Sequence, residues 1–350
     1  MKIIIRVDAS VRMGSGHVMR CLTLADRLCD LGANVEFICK ESPGNLIDFI
    51  RETEGFVVDP LPDNPPLSLS GWSVDAEQTS AILQQKQHPI DWLIIDHYAL
   101  DHRWECDVHR YVKKIMVIDD LANRPHECDL LLDQNYYQEK NRYQRLVPKT
   151  CPQLLGPKYI LFRKEFSIAR KSLLPRNGKV RRILIFFGSS DPTNETTKAL
   201  ETLQQLDLQG IKIDVIIGNN NQCIPEIERL TLLTPNAKLY IQTNNMAELI
   251  AAADLAIGSG GSAIWERHLL GLPTITIITA DHQIEVMESV EYFKTIWNLG
   301  WYEDVSKSIL ADAITHALED PKTLITMSEK ALSIFKINKP DWIRSNLFLC

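Results

Sequence analysis

Apolar residues follow two rhythms along this chain. Short, nearly unbroken runs such as Lys2-Ile3-Ile4-Ile5-Arg6-Val7 predict strands buried on both faces. They alternate with stretches whose apolar positions recur at helical spacing, as Val18, Leu22, Ala25 and Leu28 do over 17–31, where Gly32 supplies the stop. The same reading predicts strands at 34–39, 56–58, 91–96 and 114–119, and at 130–133 as the last of the first half, with helices at 44–54, 73–87 and 101–113. Residues 59–71 hold four prolines and predict a loop. A Lys/Arg-rich, proline-punctuated stretch follows at 141–179. A second series then begins, with strands at 182–187, 211–217, 238–241, 255–257 and 274–278. Its helices fall at 193–206, 223–232, 245–252, 262–270 and 282–292, and 305–319 and 321–335 complete it.

Strand–helix alternation of this kind predicts parallel sheets covered by helices on both faces. A chain of 350 residues exceeds what one core usually serves. The expected architecture is α/β, with two Rossmann-like domains facing a cleft: residues 1–155, a connection over 156–180, a second domain over 181–337 and a tail over 338–350.

Composition narrows the function. Hydrophobic residues at 45% and charged residues at 24% are ordinary for a soluble globular protein. A net charge of -7 argues against a nucleic-acid groove, whereas a small anion can still be held by backbone N–H groups. No stretch is long enough for a membrane span, no signal-peptide layout opens the chain, and none of the eight cysteines forms a C-x-x-C pair. The expectation is a cytoplasmic monomer with reduced, buried thiols and no stable membrane association.

Two glycine-led turns carry the candidate chemistry. Gly14-Ser15-Gly16-His17 follows the first strand and opens a helix, which puts an imidazole at the carboxyl edge of a parallel sheet. A neutral imidazole there can accept a proton from water, while the bland alternative is an ordinary helix start. Asp8 ends the strand and is placed to orient His17 or a sugar hydroxyl, and Arg12 to reach an anion; both also fit as loop charges. Ser15 can cap the helix or bond a phosphate. Asp96-His97-Tyr98 and Asp119-Asp120 end two more strands on the same edge. Such carboxylates suit a polyol or a metal, but no H-E-x-x-H motif or close Cys/His set supports a metal.

In the second half, Gly188-Ser189-Ser190 and Gly258-Ser259-Gly260-Gly261-Ser262 each join a strand to a helix, a layout that aims N–H groups at a diphosphate. Glu266 follows one turn on, either accepting both hydroxyls of a ribose or facing solvent. His282 and Gln283 are candidates for sugar or phosphate oxygens, and mid-helix His268 is expected to be structural. Neither a G-x-G-x-x-G fingerprint nor a P-loop is present in context.

These residues carry a resemblance. Ile5-Arg6-Val7-Asp8-Ala9-Ser10 with Gly14 to Cys21, Asp96-His97-Tyr98, Asp119-Asp120-Leu121-Ala122, Leu132-Asp133-Gln134-Asn135, Leu155-Gly156-Pro157-Lys158-Tyr159, Phe162-Arg163 with Glu165-Phe166, Phe187-Gly188 with Asp191-Pro192, and Gly258 to Glu266 are the landmarks of a resemblance that runs from residue 1 to about residue 335. Through them the chain resembles the PseG family, the nucleotide-sugar hydrolases of pseudaminic acid synthesis, similar in fold to the glycosyltransferase-B class and to MurG transferases.

The resemblance implies a UDP-diacetamido sugar substrate, UDP-2,4-diacetamido-2,4,6-trideoxy-β-L-altropyranose. It implies water attack at the anomeric carbon with inversion, and no metal or other cofactor. It makes His17 the base, puts Gly188, Gly260, Gly261 and Ser262 on the diphosphate and Glu266 on the ribose, and brings Arg163 toward the substrate. Ser189 stands where the family favours glycine, Ala263 where it favours threonine and His282 where it favours asparagine; the tail from Asn338 to Trp342 lacks the family's usual Asp-Gly-x-Gly. A transferase of the same fold, a UDP-sugar epimerase and a non-catalytic UDP-sugar binder are the rivals.

Overall fold

The computed structural model describes residues 1–11, 13–63, 71–335 and 342–348. The chain divides into two units, Met1–Leu161 with Asn338–Cys350, and Phe162–Ile337.

Unit 1 runs β1 (Lys2–Val7), α1 (Gly16–Asp30), β2 (Asn34–Lys40), β3 (Val57–Leu61), α2 (Gly71–Gln84), β4 (Ile90–Asp96), α3 (His102–His109), β5 (Val112–Ile118), β6 (Leu130–Asp133) and β7 (Gln153–Leu155). Its strands lie parallel in the order β3-β2-β1-β4-β5-β6-β7. Alternate side chains feed opposite faces. Ile3 and Ile5 join the layer under α1, and Ile4 the layer that holds Trp104 of α3.

Unit 2 runs α4 (Lys164–Lys171), β8 (Arg182–Phe186), α5 (Glu195–Leu203), β9 (Lys212–Ile217), α6 (Ile224–Leu233), β10 (Ala237–Ile241), α7 (Met246–Ala252), β11 (Leu255–Ser259), α8 (Ala263–Leu269), β12 (Thr274–Ile278), α9 (Ile284–Glu291), β13 (Ile296–Trp301), α10 (Lys307–Glu319) and α11 (Pro321–Ile334). The sheet order is β10-β9-β8-β11-β12-β13, again all parallel. Both units are therefore Rossmann-like. In each, the strand order reverses beside the first strand, and open sheets of this kind bind ligands outside the carboxyl ends of the strands at that reversal.

Several elements depart from the sequence pattern. Leu130–Asp133 is not the last strand of the first half, because β7 pairs with it. The proline-rich stretch expected to be loop starts as strand: β3 continues through Pro60 to Leu61, an edge position where a missing N–H is tolerated. Residues 64–70 of that expected loop lie outside the described residues. Within 44–54 the regular turn is a π-helix at Phe49–Thr53. The segment expected to connect the units contains α4, and β13 forms where no strand was expected. Of the tail, Trp342–Phe348 returns to unit 1. Ile343 and Leu347 enter its core, and the Trp92 indole donates to the Leu347 carbonyl at 3.2 Å.

The Lys/Arg excess before β8 has a structural use. Arg170 donates to the carbonyls of Leu269 (2.8 Å) and Leu332 (3.0 Å), at the ends of α8 and α11. Arg176 donates to Ala253 (3.0 Å), Ile250 (2.9 Å), Leu270 and Gly271 (3.0 Å), tying the ends of α7 and α8 together. Helix C-termini leave carbonyls without intrahelical donors and carry partial negative charge, so a buried guanidinium satisfies both demands. Burial brings the Arg176 pKa down to about 10, still charged at neutral pH. Arg176→Met is expected to cost unit 2 about 2–3 kcal/mol, because several buried acceptors lose their donor at once. Urea denaturation is the check, and a loss below about 0.5 kcal/mol would show those carbonyls to be satisfied by other means.

Candidate active site

The turn after β1 is closed by the Gly14 N–H donating to Ser10 O at 2.8 Å, with Gly14 at φ +73, where a side chain is strained. It delivers His17 into the first turn of α1, buried and with the Tyr98 ring edge-on at 4.4 Å. Ser15 occupies the N-cap position but makes no capping bond through its side chain, contrary to one of its expected roles.

The partner of His17 is Asp96, not Asp8. β1 and β4 are neighbours with Val7 beside Asp96, so the two strand ends share one edge, and His17 Nδ1 lies 2.6 Å from Asp96 Oδ1. Arg20, one helical turn on, grips the same carboxylate through Nε and, at 2.6 Å, Nη2, while its Nη1 reaches Asp120 Oδ2 at 3.1 Å. Burial alone raises the Asp96 pKa; the Arg20 charge and His17 outweigh it and hold the carboxyl well below the usual range. Facing an ionised carboxylate, Nδ1 carries the hydrogen and donates, which leaves Nε2 as the ring's acceptor. Arg20 Nη2, 3.1 Å from Nδ1, is a second donor converging on the same oxygen. Burial and Asp120 push the Tyr98 phenol up, keeping it protonated.

Asp8 belongs to a separate buried network. Arg6 bonds both Asp8 (2.9 Å) and Asp75 (2.7 Å), the Trp104 indole donates to Asp75 at 2.9 Å, and the Lys40 amide donates to Asp8 at 2.7 Å. His97 Nδ1 accepts the Ala99 amide at 3.0 Å and its Nε2 lies 3.3 Å from Asp8, so both ring nitrogens are engaged. Asp8 therefore orients His97, and the His97 ring is taken up by structure. Arg12 lies outside the described residues.

Next along the edge, Asp119 pairs with Arg124 (2.7 Å) and Asp133 with Arg142 (3.1 Å). The Tyr143 hydroxyl lies 3.0 Å from Oδ2 of both aspartates. A phenol has one hydrogen to give, and each Oδ2 also has a donor of its own, the Ala122 amide at 2.9 Å for Asp119 and Arg142 for Asp133. Burial, then the Asp120 charge, pushes Asp133 up to about 8, which makes it the acid. Among the described residues, no group of three or more His, Cys, Asp or Glu is arranged to hold a metal ion.

In unit 2 the turns after β8 and β11 flank that sheet's reversal. Gly188 sits at φ +99. Ser189 packs on Gly218, whose amide donates to its carbonyl at 2.9 Å, and Asp191 accepts the amides of Glu195 (3.1 Å) and Thr196 (2.8 Å) to cap α5. Gly258 lies against the Phe186 carbonyl, where a Cβ would approach to 2.3 Å. Gly260 backs on Met287, while a Cβ on Gly261 would meet nothing nearer than 3.8 Å. Ser259 is buried, its carbonyl bonded by Arg267 at 2.6 Å; Ser190 is half-buried and Ser262 exposed.

Glu266 is held by Arg163, with Oε1 3.3 Å from Nη2, and burial raises its pKa against that pull. Arg163, expected near the substrate, also pairs with Glu165 at 3.0 Å and lies over the Phe166 ring. The Gln283 side chain folds back on Thr279, accepting its amide at 3.1 Å, and His282 is exposed. His268 is structural: Nδ1 bonds the Ile264 carbonyl at 2.7 Å and Nε2 the Thr295 hydroxyl at 2.6 Å, and burial lowers its pKa to about 4. Sequence reasoning missed the grip of Arg20 on Asp96, although a residue three positions after His17 shares its helix face.

Residues 182–341 match the model of the glycosyltransferase family 28 C-terminal domain. A Campylobacter jejuni protein described as UDP-2,4-diacetamido-2,4,6-trideoxy-beta-L-altropyranose hydrolase is 30% identical over 275 residues, covering 77% of this chain and 89% of its own. The chain belongs to the family of that hydrolase. A second family relative, an uncharacterised Methanocaldococcus jannaschii protein, is 30% identical over 311 residues; the match covers 85% of this chain and spans 59% of the relative's length. Among solved structures, Acinetobacter baumannii MurG aligns with a TM-score of 0.61 at 15% identity, over 95% of this chain and 94% of its own. The spinosyn rhamnosyltransferase SpnG aligns at 0.63 and 14% identity, over 95% of each chain. Those likenesses show the glycosyltransferase-B fold. No helix among the described residues is long and apolar enough to cross a membrane.

The protonated Asp133 makes stability pH-dependent in a defined sense. The folded chain keeps a proton that the unfolded chain releases near pH 4, so the unfolded state binds fewer protons and stability falls as pH rises toward 8, by roughly 1 kcal/mol per pH unit. Asp133→Asn removes that slope while keeping a donor for Tyr143. Urea midpoints at pH 5 and pH 8 are expected to show the variant gaining on the parent at the higher pH; parallel profiles would mean that Asp133 is ionised in the fold.

Proposed function

We propose that this protein hydrolyses UDP-2,4-diacetamido-2,4,6-trideoxy-β-L-altropyranose to the free sugar and UDP. The carrying observation is the His17–Asp96 pair, whose hydrogen bond fixes Nδ1 as donor and turns Nε2 into a proton acceptor. Membership of the hydrolase family supports the substrate.

Nε2 removes a proton from water as the water oxygen bonds to the anomeric carbon. The C1–O bond breaks on the opposite face, and the electron pair leaves with UDP. UDP is a stable anion, so its departure needs electrostatic support more than a strong acid. The turns led by Gly188 and by Gly258–Ser262 take the diphosphate, and Glu266 takes the ribose diol through the oxygen that Arg163 does not hold. Asp96 keeps the ring in one tautomer and stabilises the imidazolium that forms. Transfer to a hydroxyl acceptor is the rival that the family 28 match favours.

His17→Ala and His17→Asn are expected to lower UDP release by roughly 10²–10⁴-fold with UDP affinity unchanged. Asp96→Asn, which presents an amide to Nδ1 and favours the wrong tautomer, should lower kcat more than it raises KM. Proton NMR of the products and ¹³C and ³¹P NMR in H₂¹⁸O separate the readings: heavy oxygen on an inverted free sugar supports hydrolysis at carbon, heavy oxygen on phosphate overturns it, and turnover only with an added acceptor identifies a transferase.

A further inference from the structure

Two thiols in unit 1 stand outside the chemistry above. Cys128 precedes β6 and Cys151 precedes β7, neighbouring parallel strands joined by the Leu131 amide donating to the Pro152 carbonyl at 3.0 Å. Their Sγ atoms are 3.6 Å apart, in contact, within the core layer that also holds Tyr143 and Leu131. The two side chains enter that layer from the segments that lead into these adjacent strands.

We propose that Cys128 and Cys151 are an oxidation site that closes to a disulfide on reaction with a small hydroperoxide. The two sulfurs have different parts. Either sulfur can donate the hydrogen bond between them; with Cys128 as the donor the Cys151 thiolate is the form favoured, so that Cys151 attacks and Cys128 resolves. The Cys151 sulfur attacks one peroxide oxygen, the O–O bond breaks, and the other oxygen leaves as an alcohol, or as water from hydrogen peroxide, taking up a proton. Cys151 is then a sulfenic acid. The Cys128 sulfur attacks that sulfur, the S–O bond breaks, and water leaves with the Cys128 proton. In sum, two thiols are oxidised to one disulfide and one hydroperoxide is reduced to alcohol and water. At 5% and 7% exposure the pair is shielded from protein disulfides, which is why the oxidant assigned is a small peroxide. The bond would staple the three-residue edge strand β7 to β6 and close the segment between them, which carries Tyr137, Arg142 and Tyr143 onto Asp120 and Asp133.

The test uses the intact protein and hydrogen peroxide, at levels that modify the exposed Cys29 and Cys106. Remaining thiols are alkylated in denaturant, and the digest is weighed without reductant. The expected product joins the Cys128 and Cys151 peptides at a mass about 2 Da below their sum, and reductant separates them. In Cys128→Ser, dimedone should label Cys151 and the joined product should vanish. Complete alkylation of both thiols while Cys29 and Cys106 are oxidised overturns the site, as does a link from either to any other cysteine. The parent protein's cross-link decides the matter without a variant, so a Cys128→Ser chain that fails to fold leaves the test intact.

Discussion

The hydrogen bond between His17 and Asp96 is the constraint on which the chemistry proposed for unit 1 depends. Three things must coincide for it to form. β1 and β4 must be adjacent, so that residues far apart in sequence end at one edge. The glycine turn must begin α1 early enough to bring the ring inward. Arg20 must hold the same carboxylate, Nη2 on the oxygen that faces the imidazole and Nε on the other, because a buried carboxylate facing a neutral ring alone would take up a proton and lose its acceptor character. Without Arg20, burial would dominate Asp96; with it, the carboxylate stays charged and the ring stays in one tautomer.

The strand arrangement was legible in the sequence because its apolar runs are long and buried, and the β1 and β11 turns were found because glycine marks them. The missed elements are those whose pattern is weak. β7 has three residues shortly after Pro152 and before Pro157, and β13 reads Ile-Trp-Asn-Leu-Gly-Trp, with a polar residue and a glycine inside it. Pairing supplied by a neighbouring strand makes both. Asp8 was linked to His17 through closeness in sequence, yet side chains two apart on a strand share a face, and Asp8 follows Arg6 instead. The Arg163–Glu266 pair spans 103 positions, and no local spacing announces it.

The family assignment and the site geometry bear on different levels of the problem. Identity at 30% over most of the hydrolase's length fixes ancestry, and the MurG and SpnG likenesses fix the fold. Neither says which nucleophile attacks. A transferase and a hydrolase of one fold can hold the same nucleotide and differ only in whether a water or a sugar hydroxyl reaches the base. The base proposed for the imidazole–carboxylate pair would serve both, so product chemistry, not further similarity, separates them.

Asp96 and Asp133 show how one sheet edge yields opposite protonation states from the same side chain. Both end parallel strands and both are buried. Asp96 receives two N–H groups of one guanidinium and the imidazole. Asp133 shares Arg142 with the Tyr137 ring and the backbone carbonyls of Asp120 and Leu121, and it faces the Asp120 charge. Desolvation raises both acids, and what divides them is how much positive charge is left for each. The allocation of arginines therefore decides which carboxylate serves as an anion beside a base and which serves as a neutral hydrogen-bond donor.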